Sequence, residues 1–254
     1  MGLWLPLLET DPETYSIVCS FVDNSSSRTD AMQPMPQANA MNLKSRKSVL
    51  LGTSALVCLA LAAPVMAADF VITSGTTTND GNPINTGDTV TVTGALTTTA
   101  ANEGIETTGG TNKVTVSEAG SITTGTGNNA YGIYNDGALN TTTVSGSITT
   151  GTGNNAYGIY NDGALNTTTV SGSITTTGDQ SIGIYNSGGT NETTISGRIK
   201  TEKDFAYGVY NSGDTNETTV SGSIKTEKDL SIGIYNFGNN NETTVSGRIE
   251  TSGI

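Results

Sequence analysis

One pattern limits the folds open to this chain more than any other: Tyr134, Tyr160, Tyr185, Tyr210 and Tyr235 recur at one phase, 26, 25, 25 and 25 residues apart. Their neighbours keep step. An aliphatic residue precedes each tyrosine (Ile133, Ile159, Ile184, Val209, Ile234) and an asparagine follows it (Asn135, Asn161, Asn186, Asn211, Asn236). Two residues further on stands a glycine, at 137, 163, 188, 213 and 238, which predicts a tight turn through a residue tolerant of positive φ. A second segment then begins at Asn140, Asn166, Asn191, Asn216 or Asn241 and carries Val144, Val170, Ile195, Val220 or Val245. After a Ser-Gly corner such as Ser145 and Gly146, a third segment carries Ile148, Ile174, Ile199, Ile224 or Ile249.

One such unit is too small to bury its three aliphatics alone, whereas stacked units place like upon like and form continuous internal ladders. The predicted fold is therefore all-β: a right-handed parallel β-solenoid, or β-helix, of about 25 residues and three short strands per rung. Burial would stabilise by about 1.5 to 3 kcal/mol for each Ile or Val side chain, so five rungs make a usable core. No proline occurs between Pro83 and the C-terminus, as expected if every rung donates backbone hydrogen bonds to its neighbours. The polar composition, 13% charged and 34% hydrophobic, would also suit disorder, but a disordered chain has no reason to hold Ile, Tyr, Asn and Gly in phase. Upstream the pattern loosens. Thr89 to Leu96 and Lys113 to Ile122 resemble the second and third segments, Gly104 with Ile105 the first, and Asp69 to Thr73 an opening strand. The expected organisation is an N-terminal cap with irregular rungs over 69–125 and regular repeats over 126–254, with Ile254 partway into a further rung.

Ahead of the repeats, basic residues from Lys44 to Lys47 run into an apolar stretch from Val49 to Ala63, and small residues follow up to Ala68. That order is the pattern of a secretory signal peptide over 41–68, cut after Ala67 or Ala68. Cys58 lacks the small preceding residue of a lipid attachment site, and Met41 is the expected start, leaving 1–40 as a mis-started or unstructured upstream segment. The exported chain would hold no Cys or His, and 18 carboxylates against 7 Lys and Arg. Without cysteine it cannot be locked by periplasmic disulfides, and its acidity disfavours nucleic acid and anionic lipid as partners. Lack of His and Cys removes the commonest metal ligands and most nucleophile and base arrangements. The expectation is accordingly no enzyme, with no catalytic, cofactor-binding or metal-binding residues.

Opposite parity to Ile133 and its equivalents turns the tyrosines outward, so Tyr134, Tyr160, Tyr185, Tyr210 and Tyr235 form the candidate surface-contact stripe. The same parity places Tyr131, Tyr157, Ile182, Tyr207 and Ile232 inside, and a slip of one residue would exchange the two sets. Asn135 and its equivalents face inward, where stacked amides can bond from rung to rung. Asn140, Asn191, Asn216 and Asn241 match the N-glycosylation pattern, which an Asn at a corner before strand-forming Thr explains without sugar. Asp204, Asp229, Glu202, Glu227, Lys203 and Lys228 read as a solvated face. Arg198 and Arg248 stand at one phase with Ser223 between them, a weak trace of the clustered charges a β-helical polysaccharide-degrading enzyme would need.

With its GIYN and N-E/T-T-T-V-S-G-S/R-I rungs, the region from about residue 86 to 254 resembles the passenger domains of bacterial autotransporters, the adhesin-like proteins of type V secretion. The resemblance implies a passenger exported by an outer-membrane β-barrel and displayed at the cell surface or released. Its partners would be a host-cell, matrix or bacterial surface protein or glycan, and its tie to the membrane would run only through a C-terminal barrel that this sequence does not contain. The alternatives are an ice-binding solenoid, on the Thr pairs 141/143 and 167/169, and a polysaccharide-degrading β-helix enzyme.

Overall fold

A computed structural model describes residues 69–73, 75–76, 84–99 and 102–253; the predicted signal peptide over 41–68 and the upstream segment 1–40 lie outside the described residues. All regular elements among the described residues are β-strands, in three parallel sheets that run along the stack. Each full rung contributes one strand to each sheet. In one rung these are Ile182–Asn186, Glu192–Ile195 and Arg198–Thr201. Six first segments form one sheet, and the second and third segments form sheets of eight strands each. The chain is a β-solenoid of about 25 residues per turn, as the tyrosine spacing predicts.

Register follows the repeat residue for residue: Ile159 pairs with Ile184, Val170 with Ile195 and Ile174 with Ile199. The 26-residue step is absorbed without loss of phase, since Tyr134 pairs with Tyr160 as Tyr160 does with Tyr185. The looser upstream segments join the same ladders. Asp69–Ile72 pairs with Thr89–Val92 and that strand with Lys113–Val116, while Ile105 pairs with Ile133.

Inside, Ile133, Ile159, Ile184 and Val209 form the first aliphatic ladder, Val144, Val170, Ile195 and Val220 the second, and Ile148, Ile174, Ile199 and Ile224 the third, all fully buried. Polar ladders share the interior. Asn135, Asn161, Asn186 and Asn211 each donate through Nδ2 to Oδ1 of the next asparagine at 2.7 Å. The second Nδ2 proton goes to a threonine of the second segment in the same rung, Thr142, Thr168, Thr193 or Thr218, at 3.0 to 3.1 Å. A buried amide so placed meets its bonding requirement in a row that only identical residues at a constant rung spacing can continue.

The corner after the first segment differs from the sequence expectation. Positive φ is found at Gly137, Gly163 and Gly238, and not at Gly188 or Gly213. The left-handed position common to the rungs lies two residues later, at Leu139, Leu165, Thr190, Thr215 and Asn240. What the five glycines share is proximity: a Cβ at any of them would collide with the backbone of the glycine one rung below, as at Gly188 against the Gly163 carbonyl.

Candidate functional site: the tyrosine face

The outer surfaces of the three sheets differ in kind. The second carries outward Thr141, Thr143, Thr167 and Thr169, with Glu192, Glu217 and Glu242 replacing the leading Thr in later rungs. A flat threonine array therefore does not extend along the stack. The third carries Ser, Thr, Lys, Arg and Glu. The outside of the first sheet is aromatic.

Tyr134, Tyr160, Tyr185, Tyr210 and Tyr235 lie on this outer face as predicted. Successive ring centroids are 5.0, 4.9, 5.1 and 5.1 Å apart, close to the strand spacing. The first three pairs are stacked, with interplanar angles of 25°, 14° and 26°. The rings therefore turn their faces along the stack toward one another, and their edges and hydroxyls toward solvent.

Parity counting fails for the companion set. Tyr131, Tyr157 and Tyr207 are half-buried and lie against the first column, not inside. Tyr131 meets Tyr134 and Tyr160 edge to face at 5.7 and 5.4 Å, and Tyr157 meets Tyr160 and Tyr185 at 5.9 and 5.6 Å. Ile182 shares this phase, pairs in register with Tyr207 and is nearly covered, whereas Ile232 is 37% exposed. The reason is the glycine between. Gly132, Gly158 and Gly208 face inward, where an added Cβ would strike Ile148, Ile174 and Ile224 respectively. Two successive residues thus turn to the interior, and the residue before the glycine is thrown outward. Ala130, Ala156, Ser181 and Ala206 take the inner position instead.

Carboxylates rim the upper part of the face. Tyr134 Oη donates to Asp162 Oδ2 at 3.3 Å and Ser187 Oγ to Asp162 Oδ1 at 2.7 Å. Burial among the rings, with the charges of Asp162 and Asp136, holds the Tyr134 phenol far above its ordinary range. Burial, then the neighbouring phenols, pushes Tyr157 up to about 12. Tyr131, Tyr160 and Tyr210 are also raised, chiefly by burial. These phenols stay protonated at neutral pH, so the face presents apolar ring edges and O–H donors.

Two exposed apolar residues near this face were not singled out from the sequence. Phe205 and Leu230, 48% and 63% exposed, occupy the corner leading into this sheet at φ 55° and 54°. Left-handed backbone costs a bulky residue about 1 to 2 kcal/mol, and earlier rungs place Asn129, Asn155 and Gln180 there. The change from amide to apolar at a fixed phase was the available signal. The glycosylation-pattern residues Asn140, Asn191 and Asn216 are buried and donate Nδ2 to Gly137, Gly188 and Gly213 carbonyls at 3.0, 2.8 and 3.0 Å, so their amides belong to the corner. Among the described residues no three His, Cys, Asp or Glu side chains converge as a metal site would require. Comparison with protein-family models, with curated proteins and with solved structures found no match for this chain.

Proposed function

We propose that this chain is a non-catalytic structural and adhesive stalk, an autotransporter-like passenger displayed outside the cell that touches its target through the tyrosine face. The observation that carries the reading is the gathering of eight of the nine tyrosines on one outer sheet of a solenoid whose other faces are Thr, Ser and charged groups. Tyrosine is enriched at recognition surfaces because it combines contact area, few rotatable bonds and a polar tip. Since the ring faces are taken up by stacking, contact would run through edges and hydroxyls, which suits a protein or glycan surface rich in acceptors.

The test uses beads coated with the full chain and their retention on epithelial monolayers and on bacterial cells. Joint replacement Tyr160→Ser, Tyr185→Ser and Tyr210→Ser should cut retention about tenfold while circular dichroism stays that of a β-solenoid. Equal retention by a folded variant would remove the tyrosine face from the function. Export has its own readout: protein recovered outside the inner membrane should begin at Ala68 or Asp69, and recovery with residues 1–40 intact would overturn the signal-peptide reading.

A further inference from the structure

The third sheet carries a second surface feature, independent of the tyrosine face. At the phase of its first outward residue the rungs read Ser121, Ser147, Ser173, Arg198, Ser223 and Arg248, all paired in register. The alternation at the end of this column leaves a notch of about 210 Å³ over Ser223, walled by Arg198 and Arg248 and bordered by Lys225 and Glu250. Two rungs separate the guanidinium stems, about 10 Å at the usual strand spacing.

The neighbouring cations are partly spoken for. Lys225 pairs with Glu227 at 2.8 Å, Lys200 with Glu202 and Glu227 at 2.6 and 3.4 Å, and Arg248 Nη2 with Glu250 Oε2 at 3.0 Å. Arg198 makes no ion pair among the described residues, and the half-buried Ser223 lines the notch beside it. On a chain of net charge −12, the notch thus offers an uncommitted guanidinium beside a serine hydroxyl. Across from them Glu250 keeps Oε1 as an acceptor.

We propose that this notch binds a carboxylated sugar residue of an acidic polysaccharide, its carboxylate on Arg198 and Ser223 and its ring hydroxyls on Glu250. Arg presents paired donors that match the two oxygens of a carboxylate. An acidic peptide would satisfy Arg198, but its donors are backbone N–H groups separated from each carboxylate by a flexible side chain, whereas a sugar ring fixes hydroxyl donors beside its carboxylate. A sugar acid brings both the anion and the donors. The rung spacing then lets adjoining sugar residues run along the sheet past Lys225.

Titration calorimetry of the full chain at low salt with hexamers of galacturonic acid, with their methyl esters and with polyglutamate tests this. The acid hexamer should bind saturably, and the ester and the polypeptide should bind at least tenfold more weakly. Arg198→Ser should weaken the hexamer at least tenfold and keep the fold, because serine already stands at this phase in Ser147 and Ser173. Lys203→Ser removes the same charge outside the notch and should leave binding unchanged. No binding of the acid, equal binding of polyglutamate, insensitivity to Arg198→Ser, or equal loss with Lys203→Ser would each overturn the proposal.

Discussion

Asn186 shows how much of this fold rests on single polar side chains in the interior. Its Nδ2 donates to Thr193 Oγ1 at 3.1 Å and to Asn211 Oδ1 at 2.7 Å, while its own Oδ1 accepts from Asn161 at 2.7 Å. Asn186→Asp keeps the shape and the acceptor but loses both donors and points a buried charge at the Asn211 oxygen. The expected loss at neutral pH is about 3 to 5 kcal/mol in urea denaturation, easing as pH falls toward about 4, because burial raises the carboxyl above its unfolded value and the protonated form carries no charge. Asn186→Thr should be milder, about 1 to 3 kcal/mol, because Thr107 already begins this ladder by donating to Asn135 Oδ1 at 3.2 Å. The opposite sign is expected at the end of the third strand. The hydroxyls of Thr150, Thr176, Thr201 and Thr226 are buried with no hydrogen-bond partner among the described residues. Valine has nearly the same shape and nothing to satisfy, so Thr176→Val or Thr201→Val should raise stability by about 1 kcal/mol. A fall in the urea midpoint for these variants would show that the hydroxyls are bonded in solution.

At the scale of the strand, the aliphatic ladders and the Tyr134 column were legible because a parallel stack with constant rung length turns sequence phase directly into position. Ile184, Ile195 and Ile199 needed no further information. Tyr131, Tyr157 and Tyr207 did, since simple alternation counts every residue once and cannot register that Gly132, lacking a side chain, faces inward together with Ile133 and leaves Tyr131 outside. The Arg198, Ser223 and Arg248 alternation was visible as a string, but the notch depends on which carboxylates their neighbours reach, and spacing alone does not settle that. The tyrosine sheet also sets a pH dependence. Folding raises the phenol of Tyr157 from 10.0 to about 12, first by burial, so the folded state holds its proton more tightly than the unfolded state. The sheet's contribution is fully present below pH 10 and is lost as pH rises from 10 toward 12. Phenolate absorbance should appear late and together with loss of the β-sheet dichroism. Removing one titrating hydroxyl by Tyr157→Phe, which keeps the ring, should delay that alkaline transition, and an unchanged transition would place its origin elsewhere in the chain.

For the whole molecule, each rung touches only its neighbours, so stability is approximately a sum over rungs and the interfaces between them. The aliphatics of the last rung show the interface share directly: Val245 and Ile249, with a neighbour on one side, are 43% and 38% exposed, while their counterparts Val220 and Ile224 are fully covered. Deleting residues 201–225 removes one whole period. Thr226 then takes the place of Thr201, with which it is already paired in register, and every ladder closes over the gap. The shortened chain should keep its β-sheet dichroism and protease resistance, with a lower melting temperature for the lost rung and interface. Deleting residues 201–212 instead puts Gly213 where Thr201 stood and shifts every later residue off its column. Asn236 then falls on the Ile199 column, where Ile224 stood, and the rungs beyond the cut should unfold and be digested back to about residue 200. Two equally folded products would rule out a stack held by phase, and two equally unfolded ones would show that the rungs do not add independently.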